Sequence, residues 1–333
     1  METSNPQISP AISTTLLAIP RMPRQGHAQQ QTALSIGNFD GVHLGHQSML
    51  QRLREAATAE QLQSAVLTFS PHPREYFAEI ARRPELTPTH ITGLRDKVQT
   101  ILGCGIDRVW VARFNRHLAE MSALAFIEDL LIAKLNVRWL LVGEDFRFGS
   151  KRAGDIALLR QVGAARGVSV QTHADIVDGR GHRISSSEVR AALALGDLIR
   201  ARALLGRHFA LTGHVIHGQK LGRTLGFPTM NMRVTDRCAA RSGIYVVAVH
   251  GLGDKPLPGI ASLGVRPTVL DNGQILLETH VLDAQIDAYG KLVRVEFLQH
   301  VRDEEKFPDL TTLTAAMNAD RQHARAYFAL HGL

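Results

Sequence analysis

The feature that most limits the fold is a change of pattern part-way along the chain. Between Ala33 and about Leu205, short apolar runs alternate with amphipathic helical stretches. After Gly206 the helices stop and strand-like runs follow one another. The strand candidates of the first region are Ala33–Gly37, Ser64–Phe69, Arg108–Phe114, Val137–Gly143 and Val168–Thr172. Between the first two lies a helix whose Met49, Leu50, Leu53, Ala56 and Ala57 share one face. Strands separated by helices need crossover connections, which predicts a parallel sheet covered by helices on both faces. Ligands of such sheets sit beyond the carboxyl ends of the strands.

In the second region the candidates are His208–Ile216, Ile244–His250, Pro258–Leu263, Ile275–Leu282 and Lys291–Leu298. In the last, Val293, Val295 and Phe297 alternate with Arg294 and Glu296, the signature of one buried face. This pattern suits a small antiparallel barrel or sandwich, with the barrel expected. A final amphipathic helix bearing Leu310, Leu313, Met317 and Ala324 would pack across it. The expected fold class is therefore α/β followed by β, and 333 residues are enough for two cores. Gly206 reads as a helix C-cap at the junction. The expected organisation is a loose tail over 1–20, one domain over 21–206 and a second over 207–333.

A net charge of +7 and a pI near 9.8 favour an anionic partner, and nucleic acid and phosphorylated small molecules both fit. Aromatic residues are only 5%, and no dense Lys/Arg block interleaves with them, so base stacking is poorly supported and no nucleic-acid partner is expected. No run of about 18 apolar residues occurs, so no membrane-spanning helix or membrane partner is expected. The start, Met-Glu-Thr-Ser-Asn-Pro, is acidic where a secretory signal is basic. Cys104 and Cys238 cannot build a disulfide framework, which points to a cytoplasmic protein. Nothing in the pattern fixes self-association.

Two short runs carry phosphate chemistry. Ser-Ile-Gly-Asn-Phe-Asp-Gly-Val-His-Leu-Gly-His (35–46) joins the first strand to the first helix. Gly37, Gly41 and Gly45 let backbone approach a ligand, and His43 and His46 stand at the helix entrance, where free N–H groups and the dipole favour an anion. Two imidazoles there can donate to phosphate oxygens that gain charge in a transition state. A zinc site is disfavoured because no third ligand stands nearby. The second run is Arg183-Ile-Ser-Ser-Ser-Glu-Val-Arg190. Ser185 and Glu188 form a capping-box pattern, which leaves Arg183, Ser186, Ser187 and Arg190 clustered at a helix start as a second anion-binding set.

The segment Gly213–Asn231 is punctuated by Gly213, Gly218, Gly222 and Gly226 and carries Lys220 and Arg223. It suits a phosphate-covering flap or a mobile hairpin. It lacks the Gly-Lys-Ser/Thr of a Walker A loop. It ends in Pro228-Thr229-Met230-Asn231, where alternation puts the Thr229 and Asn231 oxygens on one side of an extended segment, as hard donors suited to Mg²⁺. The alternative is a strand start with a polar face. Glu278 lies on a strand face opposite Leu277 and Thr279, where an exposed strand glutamate is the ordinary reading.

Gly-x-Phe-Asp-Gly-Val-His-x-Gly-His followed by Ile-Ser-Ser-Ser-x-x-Arg resembles the nucleotidyltransferase superfamily that includes class I aminoacyl-tRNA synthetases. Thr-Phe-Ser-Pro-His-Pro (68–73) and Val-Gly-Glu-Asp-Phe-Arg-Phe-Gly (142–149) are similar to the adenylyltransferase module of the prokaryotic bifunctional riboflavin kinase/FAD synthetase family. Pro-Thr-Met-Asn resembles that family's kinase motif. The resemblance runs from about residue 33 to the C-terminus and implies a Rossmann-like nucleotidyltransferase domain before a riboflavin kinase barrel. ATP, riboflavin and FMN would be substrates and Mg²⁺ the metal. It implies phosphate contacts by His43 and His46, and an ATP cradle of Gly37, Phe39, Asp40 and Gly45. Asp145 would position nucleotide or flavin, and Arg183, Ser186, Ser187 and Arg190 would hold the triphosphate. In the kinase half it implies Gly218, Lys220, Gly222 and Arg223 over phosphates, Thr229 and Asn231 on Mg²⁺, and Glu278 as base. His72 would shape the flavin side or only a rigid loop. Pro267-Thr268 and Arg302 also match the kinase module.

Overall fold

The computed structural model describes residues 30–217, 226–234, 237–265, 275–284 and 286–331. They fall into two compact units, one of residues 30–88 and 97–185 and one of residues 89–96 and 186–331.

The described residues of the first unit contain a five-stranded sheet of β1 (Thr32–Ile36), β2 (Gln63–Ser70), β3 (Arg108–Arg113), β4 (Val137–Gly143) and β5 (Ser169–His173), in the order β3-β2-β1-β4-β5. Every pairing is parallel. All five residues of the central strand β1 are buried, as a strand covered by helices on both faces requires. Helix α1 (Leu44–Ala59) turns Leu50, Leu53 and Ala57 to the interior. It is followed by α2 (Pro73–Ile80) and α3 (Leu94–Gly103). A π-helix over Phe126–Lys134 adds Phe126, Ile127, Leu130 and Leu131 to the core beside Leu34, Leu67 and Leu140. Strand order runs one way from β1 to β2 and β3 and the other way to β4 and β5. The connections beyond β1 and β4 therefore part, and a crevice opens between them.

The second unit opens with helices Ser186–Ala194 and Leu198–Leu205. Gly206 caps the latter as expected, with φ 71° and its N–H donating to the Arg202 carbonyl. Strands β6 (Ala210–Ile216), β7 (Met230–Arg233), β8 (Gly243–His250), β9 (Leu257–Val265), β10 (Ile275–Val281) and β11 (Leu292–Arg302) then close into a barrel, β10-β7-β6-β11-β8-β9. The pairings are antiparallel, and closure of the six strands into one ring excludes the sandwich alternative. Strand β7 was read only as an extended segment. Four residues are too few to show alternation, and β7 exists because β6 and β10 pair with it on either side. Inside the barrel, Phe297 meets Phe209 (centroids 5.1 Å) and Tyr245 (4.9 Å). Gly213 must lack a side chain, since its Cβ would come 2.6 Å from the Met232 side chain on the neighbouring strand.

The C-terminal helix, Leu310–His331, packs Ala324 and Phe328 against Val246, Ile260 and Leu282. The expected stripe is only partly right: Leu310 is exposed, and the buried seam is Asp320, Ala324 and Phe328. The seam is displaced because Asp320 takes the Arg302 guanidinium in a fork, accepting from Nε at 2.9 Å and from an Nη at 2.7 Å. Asp320 is buried but Arg302 is only half-buried, so removing the carboxylate leaves a guanidinium that water still reaches. Asp320→Ala should therefore destabilise the second unit by about 1–3 kcal/mol, read as a lower denaturant midpoint, with Asp320→Asn milder. A midpoint unchanged by Asp320→Ala would show that the fork adds nothing.

Candidate active sites

In the first unit the candidate residues converge on the carboxyl ends of β1 and β4. The loop after β1 makes a tight reversal, with left-handed φ at Phe39 (48°), Gly41 (81°) and Val42 (41°). Only glycine does this without strain, and a β-branched valine there is a true outlier. Phe39 is 1% exposed, and its ring lies 3.1 Å from where a Gly37 Cβ would sit. Phe39 therefore packs the loop from beneath, and Asp40 is buried beside it. His43 is the N-cap of α1, its Nδ1 accepting from the His46 amide at 3.4 Å. That acceptor role puts the proton of a neutral His43 ring on Nε2. The two imidazoles stack with centroids 3.7 Å apart and planes 20° apart, and Phe39 lies 5.0 Å from His46. Gly45 permits this: a Cβ there would stand 3.2 Å from the His43 ring and 3.3 Å from the Ile184 carbonyl. The glycine loop and the segment entering the serine run are thus in contact.

Arg183 reaches Asp175 at 2.9 Å and Asp145, in the loop after β4, at 3.9 Å. Gly37, Phe39, Asp40 and His43 thus lie in the loop after β1, Gly45 and His46 in the first turn of α1, and Arg183 meets Asp145. Ser186, Ser187 and Arg190 belong to the helix that opens the second unit, where Arg190 donates to the Thr89 carbonyl at 2.7 Å. His72 is the N-cap of α2. Its ring accepts from the Arg74 amide at 3.0 Å, and its own amide donates to Glu75 at 3.2 Å. The rigid-loop reading of His72 thus has a concrete basis.

Two features escaped the sequence. Lys97 on α3 is buried, and its ammonium donates to the carbonyls of Asn38 (3.1 Å) and Phe69 (3.3 Å). Its spacing from Val98 and Ile101, on an apolar face, was the available signal. The second feature is an aromatic cluster. Phe114 meets Phe69 (5.8 Å), Tyr76 (5.4 Å) and Phe77 (5.8 Å), all near edge-on, with Phe77 half exposed. These rings meet only because β2 and β3 pair, bringing Ser70 opposite Arg113.

In the second unit, β7 and β10 place Asn231 directly opposite Glu278, and β9 places Ser262 on the other side of Glu278. Directly opposed residues point to the same face of a sheet. The 4% exposed Asn231 and the half-buried Glu278 therefore share a face. Ser262 donates to Glu304 at 2.9 Å, so a second carboxylate flanks this row. His280 bonds the Pro228 carbonyl through Nδ1 at 2.9 Å and meets Phe227 edge-on, which fixes the start of the Pro-Thr-Met-Asn run. The Arg321 guanidinium lies 4.9 Å from the Phe227 ring centroid. A small pocket beside the run is lined by Pro228, Thr229, Met230, Val281, Ile286 and Tyr289. Gly218, Lys220, Gly222, Arg223, Pro267 and Thr268 lie outside the described residues.

Two family profiles match the chain, one in each half. The FAD synthetase family profile matches residues 25–188, and the riboflavin kinase profile matches residues 205–328. The bifunctional riboflavin kinase/FMN adenylyltransferase of Escherichia coli K12 is 43% identical over 302 residues, 91% of this chain and 94% of the relative. The protein of that name from Pseudomonas fluorescens is 43% identical over 89% of this chain and 92% of its own length. That from Haemophilus influenzae is 42% identical over 90% and 95%. A crystal structure of a Streptococcus pneumoniae protein described as a macrolide-efflux protein superposes with a TM-score of 0.74 at 28% identity, covering 92% of this chain and 98% of that one. Among the described residues here, no helix is long and apolar enough to cross a membrane. With identity of this level over nine-tenths of the sequence, and both halves matched in order, the chain belongs to the bifunctional riboflavin kinase/FMN adenylyltransferase family.

Proposed function

We propose that this protein makes flavin cofactors in two steps, phosphorylating riboflavin to FMN and then adenylylating FMN to FAD, with ATP as co-substrate in both. The kinase step is assigned to residues 207–333 and the adenylyl transfer to residues 21–206. The observation that supports the reading is a different polar arrangement on each unit: the His43–His46 stack at the strand switch point and the Asn231–Glu278 pair on the barrel wall.

In the adenylyl transfer an FMN phosphate oxygen attacks the α-phosphorus of ATP, and pyrophosphate leaves. The phosphate is already a nucleophile, so the protein's work is orientation and charge stabilisation. His43 and His46 would donate to phosphate oxygens at the N-terminus of α1, whose first turn has no acidic residue to oppose an anion. Arg183 is half exposed, and surface pairs of its kind are worth only about 0–1 kcal/mol. It can therefore exchange Asp175 for a phosphate at little cost. Ser186, Ser187 and Arg190 follow in the sequence as further triphosphate ligands, and Asp145 is assigned to positioning. The edge-on rings around Phe114, with Phe77 half exposed, suit the flat isoalloxazine, which stacks on or abuts aromatic faces.

In the kinase step Glu278 would accept the proton of the riboflavin 5′-hydroxyl as that oxygen attacks the γ-phosphorus and ADP leaves. Thr229 and Asn231 offer a hydroxyl and an amide oxygen, the hard donors Mg²⁺ prefers, and this ion needs few protein ligands where substrate phosphates complete its shell. When bound, Mg²⁺ would offset phosphate charge. Gly218, Lys220, Gly222 and Arg223 are assigned to covering the phosphates. Both steps draw on ATP, which supports a cytoplasmic setting.

Chromatography of flavins after incubating the protein with riboflavin, ATP and Mg²⁺ tests the reading. FMN and then FAD should appear. Riboflavin left unconsumed, or FMN that never proceeds to FAD, would overturn it.

A further inference from the structure

Lys97 is 9% exposed. It sits on α3 where the helix otherwise sends Val98 and Ile101 inward. Its ammonium donates to one carbonyl beyond the end of β1, that of Asn38, and to one near the end of β2, that of Phe69. The Asn38 carbonyl also accepts from the Thr68 hydroxyl at 3.1 Å. One cation thus staples the root of the glycine loop to the adjoining strand. Just beyond that root come the left-handed residues Phe39, Gly41 and Val42, and then His43. A backbone forced into such conformations keeps them only where its surroundings over-determine them.

The choice of lysine is informative. Burial pushes its ammonium down to about 8, and the buried Asp40 only partly restores it. A methionine would fill similar space without desolvating a charge. A cation retained at that cost, and bonded to loop carbonyls, marks a site more than a fold.

We propose that Lys97 is a positioning residue for adenylyl transfer, its ammonium fixing the loop from Gly37 to His43 so that His43 and His46 meet the triphosphate. This rests on the assignment of adenylyl transfer to this unit. Lys97 bonds one loop carbonyl and one strand carbonyl, and acts through the two histidines.

The test uses the full-length chain. Lys97→Met should lower kcat for FMN-to-FAD conversion by on the order of 10²-fold, the cost of a misplacement of about 1 Å, with a smaller change in the KM for ATP. Riboflavin phosphorylation by the same preparation should be unchanged and any fall in Tm small, because the desolvated charge removed offsets the two carbonyl bonds lost. Lys97→Arg, which keeps a cation and N–H donors, should recover part of the loss. Wild-type FAD synthesis by Lys97→Met overturns the proposal. So does a loss matched by falls in Tm and kinase turnover, which marks a purely structural lysine, and so does a Lys97→Arg no better than Lys97→Met. If Lys97→Met does not fold, Lys97→Gln is judged by the same criteria. A wild-type protein that makes no FAD from FMN would instead sink the assignment of the unit.

Discussion

His46→Ala is expected to slow FMN-to-FAD conversion by roughly 10²–10³, the usual cost of losing one donor to a developing oxyanion, while riboflavin phosphorylation continues at the wild-type rate. The separation follows from where the histidine sits. Its ring stacks on His43 at the entrance of α1, on the first unit, and the Asn231–Glu278 pair belongs to the second. Truncation also removes a flat partner from His43, so the loss includes some misplacement of that ring. The measurement is single-substrate: FMN and ATP for one step, riboflavin and ATP for the other, with products separated by chromatography. Equal loss of both steps in folded protein would show that the two activities do not occupy separate sites.

Glu278→Gln should do the converse, lowering riboflavin consumption by about 10²–10⁴ and leaving FAD synthesis from added FMN intact. The exchange is nearly isosteric and keeps the β10 register, so it removes the carboxylate without rebuilding the wall. Glu278 faces the buried Asn231 on one side and Ser262, held by Glu304, on the other. A kinase rate near wild type would return Glu278 to the status of an ordinary strand glutamate.

Much of the architecture was legible because it rests on local periodicity. Alternating helices and strands before Gly206 led to a parallel sheet, and strand after strand beyond it to an antiparallel barrel. The Gly206 cap was legible for the same reason: a left-handed helix end selects glycine locally. The terminal helix shows where the method stops. Its apolar spacing suggested a stripe through Leu310, yet the buried seam carries Asp320, because Arg302 on β11 supplies a partner that hydropathy cannot foresee.

For the candidate sites, sequence and structure divide along a physical line. By itself the sequence determined which chemical groups are present and which neighbours they must have: His43 and His46 three residues apart at a helix entrance, glycines where backbone must come close, and Thr229 and Asn231 in one extended run. These arrangements are set by bonds within a few residues. Only the tertiary structure decided that Asn231 stands opposite Glu278, that Arg183 reaches Asp145 and Asp175, that four distant aromatic rings form one cluster, and that Lys97 is buried against two carbonyls. Apart from the Arg183–Asp175 pair, which is 8 positions apart, each of those depends on strand order and register, which bring together residues 28 to 59 positions apart. A side chain's burial and charge state are set by those distant neighbours, so a lysine that looks solvated in sequence can prove to be the staple of a loop.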